Sequence, residues 1–139
     1  MKYLLDTCVV SELIKKMPDS NVVNWLKQQD ESDLYLSVMT FGEIEKGIQQ
    51  APSVAQKKKL REWLEDLEQR FQGRIIPIDI HVAIKWGEIQ GSLVSRGKTL
   101  PAIDSLIAIS ALAHNFTVVT RNISDMERST VNILDPWVA

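Results

Sequence analysis

The sequence predicts an α/β fold, a parallel sheet of four to five strands covered by helices on both faces. Three observations predict it. Short apolar or β-branched runs recur along the chain, at Tyr3 to Leu5, Leu34 to Val38, Arg74 to Asp79, Phe116 to Thr120 and Val131 to Leu134. Between them lie stretches whose apolar residues repeat at helical spacing and are long enough to cross back over a sheet. One of these, carrying Ile103, Leu106, Ile107, Ile109, Ala111 and Leu112, is apolar almost all round, as a helix against a buried sheet must be. Strands alternating with crossover helices give parallel neighbours with both faces covered.

Taken in order, Tyr3-Leu4-Leu5 is a strand that stops at Asp6, and Thr7 is placed to cap a helix through Val9, Val10, Leu13 and Ile14 that ends before Pro18. Asp19-Ser20-Asn21 caps a second helix carrying Val22, Val23, Trp25 and Leu26. After a polar break at Asp30 to Asp33 comes the second strand, from which Thr40 opens a helix with Glu43 in its first turn. Ala51-Pro52-Ser53 marks a boundary before an amphipathic helix with Leu60, Trp63, Leu64, Leu67 and Phe71 on one side. Gly73 closes that helix, and Pro77 places the next short strand at an edge or a strand end. Val82, Trp86, Ile89 and Leu93 mark a helix stopped by Gly97. Pro101 suits the first turn of the apolar helix, with Asp104 near its start and Asn115 at its end.

The 139 residues suffice for one domain with a continuous core. With 45% hydrophobic and 24% charged residues, the composition is that of a globular protein, and no apolar run is long enough to span a membrane. Asp6 and Glu12 follow the initial Met so closely that no signal-peptide core forms, which predicts a cytoplasmic protein. One cysteine, Cys8, excludes an internal disulfide and a multi-cysteine zinc site, and two histidines, His81 and His114, are too few for a histidine-rich centre. Any metal therefore needs oxygen ligands, which favours Mg²⁺ or Mn²⁺. A net charge of -2 and a pI near 5.7 argue against a bulk electrostatic nucleic-acid binder, but not against an enzyme that concentrates its acids in a cleft.

Sites in open α/β sheets form beyond the carboxyl ends of the strands. Asp6 follows the first strand, Glu43 the second, and Thr120, Arg121 and Asn122 the fourth, while Asp104 opens a central helix and reaches the same end. Several carboxylates in one cleft repel one another, and a divalent cation is the natural compensation. Such a cation suits phosphodiester hydrolysis, because it polarises the phosphoryl oxygen and acidifies bound water.

The residues Leu4-Leu5-Asp6-Thr7, the segment from Leu36 to Ile44 with Gly47, the segment Asp104-Ser105-Leu106-Ile107-Ala108, and Val119-Thr120-Arg121-Asn122 with Asp125 closely resemble PIN-domain ribonucleases. Their order and spacing are similar to the VapC-type toxins of bacterial toxin–antitoxin pairs, including the FitB-like branch. The similarity covers essentially the whole chain, so residues 1–139 are read as a single PIN domain. The resemblance implies a Mg²⁺-dependent endoribonuclease, with Mn²⁺ as an alternative ion. It further implies a homodimer that joins its VapB-type antitoxin in a hetero-oligomer, is inhibited by it, and meets DNA only through it. Carried over residue by residue, Asp6 and Asp104 are the principal metal ligands and Glu43 a third acid acting on the metal or its water. The family commonly sets a fourth acid just after Thr-Arg or a few residues later. Here the first place holds Asn122 and the second Asp125, to which the acidic role is given. Cys8 departs from the asparagine that often follows Asp-Thr.

Each feature also has a plainer reading. Asp after a strand is commonly a turn or cap residue, Asp125 can cap a short turn, and Lys57-Lys58-Lys59 reads as a solvated helix face. Among Arg121, Arg96 and Lys98, the first is best placed to meet a substrate phosphate. Two other functions compete: an aspartate-nucleophile phosphatase using Asp6, which would ordinarily carry a second Asp where Cys8 stands, and an inactive PIN-fold binding module, which would not need Asp6, Glu43 and Asp104 together.

Overall fold

A computed structural model describes residues 1–138. The central strand is β1 (Tyr3–Leu5), paired in parallel with β2 (Leu34–Ser37) on one side and β4 (Thr117–Val119) on the other. Beyond β2 lies β3 (Ile75–Ile76), and beyond β4 lies β5 (Ile133–Leu134), so the order is β3-β2-β1-β4-β5 with every pairing parallel. The chain builds outward from β1 to β3 and then crosses to the other side. Strand order therefore reverses between β1 and β4, where open α/β sheets leave a crevice. The edge position expected from Pro77 is observed.

The helices are α1 (Thr7–Glu12), α2 (Ser20–Lys27), α3 (Val38–Gln49), α4 (Val54–Arg70), α5 (Ile80–Ser95), α6 (Ala102–Ala113) and the single turn α7 (Ile123–Met126). Three helix starts differ from the sequence expectation. Asp6, not Thr7, is the cap of α1, and Ser37, not Thr40, caps α3, its Oγ accepting from the Met39 N–H at 3.1 Å. As a result α3 begins at Val38, the second strand ends before it, and Glu43 lies in the second turn rather than the first. Pro101 is likewise the residue preceding α6 rather than one inside it. Gly73 and Gly97 leave α4 and α5 with φ of 84° and 72°, and Asn115 leaves α6 at 58°, the left-handed geometry that ends helices.

Successive strand residues face opposite ways, and each face has its own core. Leu5, Leu36 and Val119 pack with Val9, Val22, Trp25, Ile44, Ile48 and Phe71 beneath α1 to α4. Leu4 and Val118 pack with Ile107, Ala108, Ala111 and Met126 beneath α6 and α7. The helix α5 lies on α6 and is apolar on two sides. Val82 and Leu93 are buried inward, while Ile80, Ile84 and Val94, at 78%, 57% and 60% exposure, face away from the protein. Among the described residues, no helix is long and apolar enough to cross a membrane.

Candidate active site

Where β1 ends, the Asp6 N–H donates to the Val119 carbonyl at 2.9 Å, which ties the strand end to β4. The Asp6 carboxylate is 2% exposed. A buried charge of this kind requires donors. Oδ1 accepts from the Thr7 N–H at 2.8 Å, and Oδ2 accepts from the Thr120 hydroxyl at 2.7 Å and the Cys8 thiol at 3.4 Å. Burial, then the Asp6 charge, pushes the Cys8 thiol up to about 11, so the sulfur stays a protonated donor.

Thr7, freed from capping, faces α3. Its hydroxyl donates to Glu43 Oε1 at 2.6 Å and lies 3.0 Å from the hydroxyl of the fully buried Thr40. A threonine has one hydroxyl proton, so the donation to Glu43 leaves Thr40 as the donor to Thr7. A relay Thr40, Thr7, Glu43 thus holds the acid on the same side of the sheet as Asp6. The sequence offers Thr7 both as a cap and as a hydroxyl beside the metal ligands, and gives no sign of its link to Thr40.

The other two acids are held differently. Asp104 lies in the first turn of α6 and Asp125 in the short α7, which packs against α6. Burial pushes the Asp104 carboxyl up to about 6, with the negative charges of Asp6, Asp125 and Glu43 adding to it in that order. The structure therefore brings Asp6, Glu43, Asp104 and Asp125 into one electrostatic neighbourhood. Among the described residues none of the four carboxylates forms an ion pair with a Lys or Arg, and neither the Asp104 nor the Asp125 side chain accepts a hydrogen bond from a protein group. Nor are three His, Cys, Asp or Glu side chains among the described residues near enough, as they stand, to share one ion. Oxygen donors with uncompensated mutual repulsion have the chemistry of a site for a hard divalent cation, with the acids drawing together to close on it.

Asn122 and Asp125 part company here. Asn122 donates its backbone N–H to Thr120 Oγ at 2.9 Å and precedes α7 without any side-chain capping bond. Asp125 is the residue whose charge reaches Asp104. Arg121 turns away from the acids: its guanidinium lies 3.7 Å from Glu12 Oε1 and 4.4 Å over the ring of Trp137. Glu12 is buried, and its carboxylate also accepts from Lys15 Nζ at 2.8 Å and the Asp19 N–H at 2.9 Å. Glu12 is thus the anchor of the Arg121 side chain. On the far side of Asp104, Trp86 Nε1 and the Gln90 amide both donate to the buried Ser105 hydroxyl, at 2.9 and 3.2 Å, and tie α5 to the first turn of α6.

The fold and the site define a class of protein: a small parallel α/β sheet with carboxylates gathered at the point where its strand order reverses. A family model described as the PIN domain matches residues 3–128, and the chain belongs to the PIN-domain family. It is 36% identical to the toxin FitB of Neisseria gonorrhoeae over 135 residues, covering 96% of this chain and 97% of that one. It is 33% identical to the VapC ribonuclease Y4jK of Sinorhizobium fredii over 135 residues, 96% of both chains. Among solved structures, FitAcB from Neisseria gonorrhoeae superposes with a TM-score of 0.92 at 35% identity, covering 99% of each chain.

Proposed function

We propose that this chain is a divalent-metal-dependent endoribonuclease, the toxin of a VapBC-type toxin–antitoxin pair, which hydrolyses RNA phosphodiester bonds until its antitoxin inhibits it. The observation that carries the reading is the convergence of Asp6, Glu43, Asp104 and Asp125, none of them ion-paired among the described residues, where burial and then the charges of Asp6, Asp125 and Glu43 push the Asp104 carboxyl up. The full-length similarity to a ribonuclease and a toxin supports the substrate and the partner.

A bound Mg²⁺, or Mn²⁺ in its place, supplies Lewis-acid polarisation of the phosphoryl oxygen and a nucleophile at neutral pH. Asp6 and Asp104 would hold the ion, and Asp125 would supply the fourth acid. Thr120, Cys8 and the Thr7 N–H fix the Asp6 carboxylate in one orientation, leaving a lone pair on Oδ1 for the ion. Glu43 has Oε1 occupied by Thr7, so Oε2 is the atom left to orient the attacking water and take its proton. Asn122, neutral, orients solvent at the crevice rim.

The whole chain acts as one domain in the cytoplasm, and DNA is contacted only through the antitoxin. A second copy of the chain covers the outward face of α5, where Ile80, Ile84 and Val94 are exposed. Ile84→Asp is expected to convert a dimer to a monomer in sedimentation analysis.

The test of the activity is mapping of RNA ends after incubation of the antitoxin-free protein with RNA. New ends are expected with Mg²⁺ and the natural chain, and none with chelator or with Asp6→Asn. Equal cleavage by the Asp6→Asn protein, or cleavage undiminished in chelator, contradicts the proposal.

A further inference from the structure

The acid site poses an electrostatic difficulty for its own proposed substrate. A polyanion has to lie across a crevice holding four carboxylates, in a protein of net charge -2, so cations must flank the crevice where the RNA strand enters or leaves. Arg121 is drawn toward Glu12 and Trp137. Other cations lie on the segments that lead into Asp104 and out of Asp125.

The segment joining α5 to α6 carries Arg96 and Lys98, and the turn after α7 carries Arg128, all three exposed. The connecting segment is fastened at several points. The Lys98 N–H donates to the Leu93 carbonyl at 2.8 Å and the Gly97 N–H to that of Val94 at 2.9 Å. The Gln90 side chain grips Leu100 on both sides, its amide donating to the Leu100 carbonyl at 3.1 Å and its oxygen accepting from the Leu100 N–H at 3.3 Å. From the other direction Arg128 Nη1 donates to the Thr99 carbonyl at 3.3 Å. That bond draws the cation three residues beyond Asp125 onto the segment that leads directly into the Asp104 turn. Among the described residues none of Arg96, Lys98 and Arg128 has a carboxylate within ion-pairing distance, although Glu127 adjoins the last. Arg128 uses one of five guanidinium N–H donors on Thr99 and keeps the others.

We propose that Arg96, Lys98 and Arg128 form a basic rim beside Asp104 and Asp125 that takes the phosphates of the RNA strand next to the cleaved bond, and that Arg121 does not serve in this way. The inference rests on the ribonuclease reading above. Phosphate contacts of this kind position a strand without reading its bases. They place the rim's contribution in substrate affinity, while the acids govern the chemical step. The bond from Arg128 to Thr99 holds one of the three cations against the segment that carries the other two.

The experiment is binding of a fluorescein-labelled single-stranded RNA oligonucleotide, read by anisotropy across a salt series. The parent is the full chain carrying Asp104→Asn, which silences cleavage, with Mg²⁺ present. Each phosphate contact contributes roughly 0.7 to the slope of log affinity against log salt for a single strand. The triple variant Arg96→Gln, Lys98→Gln, Arg128→Gln is expected to bind at least about tenfold more weakly, with a slope shallower by about 2. Arg128→Lys is expected to retain the slope that Arg128→Gln loses, and Arg121→Gln to leave it unchanged. A triple variant that binds with the parent's affinity and slope overturns the rim, as does a slope lost with Arg121→Gln instead. If that same triple variant loses binding only to a polyglutamate peptide, the rim serves an acidic protein partner and the proposal is overturned. Cleavage by the natural chain separates the two readings: a natural chain that neither cleaves nor binds RNA refutes both, whereas one that cleaves while the triple variant binds normally refutes the rim alone.

Discussion

The two halves of the acid crevice are built on different principles. On the β1 and α3 side, Asp6 and Glu43 are wired in place by Thr7, Thr40, Thr120 and Cys8, with hydrogen bonds of 2.6 to 3.4 Å between side chains. On the α6 and α7 side, Asp104 and Asp125 accept no such bonds among the described residues, and the Asp104 carboxyl is raised to about 6. The first half is preorganised and the second is held against repulsion. A fixed half lets the site impose a geometry, and a half whose carboxylates accept no hydrogen bond lets it close when a cation arrives.

The largest expected effect is one that the halves share in activity and split in stability. Asp6→Asn and Asp104→Asn each remove a ligand from a centre proposed to supply several kcal/mol of transition-state stabilisation, so RNA cleavage should fall at least about a hundredfold in both. Thermal denaturation without metal should separate them. Asp6→Asn replaces an acceptor by an amide among fixed donors and should lose about 1 to 3 kcal/mol. Asp104→Asn removes a repelled charge and should unfold no earlier than the natural chain. An Asp6→Asn protein as stable as the natural one breaks the distinction.

Next in size is the relay. Thr7→Val leaves Glu43 without its donor and Thr40 without its acceptor, and should cost about 10- to 100-fold in cleavage while the protein remains folded. Asp125→Asn should cost more than Asn122→Ala in a parallel assay, since the charge of Asp125 reaches Asp104. The reverse order would move the fourth position to Asn122.

The smallest effect concerns pH. The Asp104 carboxyl has an ordinary value of 3.8 and a folded value of about 6. Below the lower value both folded and unfolded chains hold the proton, and Asp104 contributes nothing to the difference. Through the window up to about 6 the folded chain keeps a proton that the unfolded chain has released, so stability falls as pH rises, and above it the full penalty remains. The melting temperature of the metal-free natural chain relative to Asp104→Asn should therefore drop across that window. Mg²⁺ should reduce the drop above it. A difference that does not change with pH contradicts the assignment of repulsion to Asp104.

How far the sequence revealed this depended on how local each determinant was. Asp6 was legible because an apolar run ends on it, and Asp104 because it interrupts an otherwise apolar helix. The sheet and the helices of α2, α4 and α6 were legible through periodicity and capping residues. The start of α3 was not, because Ser37 and Thr40 are both competent caps and the choice is made by the length of β2. Nor was the split between the halves. It arises from contacts such as Thr7 to Glu43, 36 residues apart, and Asp6 to Thr120, 114 apart. The orientation of Arg121 depended on Glu12 being buried, and a glutamate in a short helix carries no mark of that. The four residues of α7 are too few to show a period.

The most direct measurement is a titration of the metal-free protein with Mn²⁺ at neutral pH, followed by electron paramagnetic resonance, which distinguishes free from bound ion. The account predicts tight binding to the natural chain and to Glu45→Gln, whose carboxylate pairs with Arg61 away from the crevice. It predicts strongly weakened binding to both Asp6→Asn and Asp104→Asn. Mn²⁺ bound equally well by the Asp104→Asn protein would contradict the claim that the two halves of the crevice close on one cation.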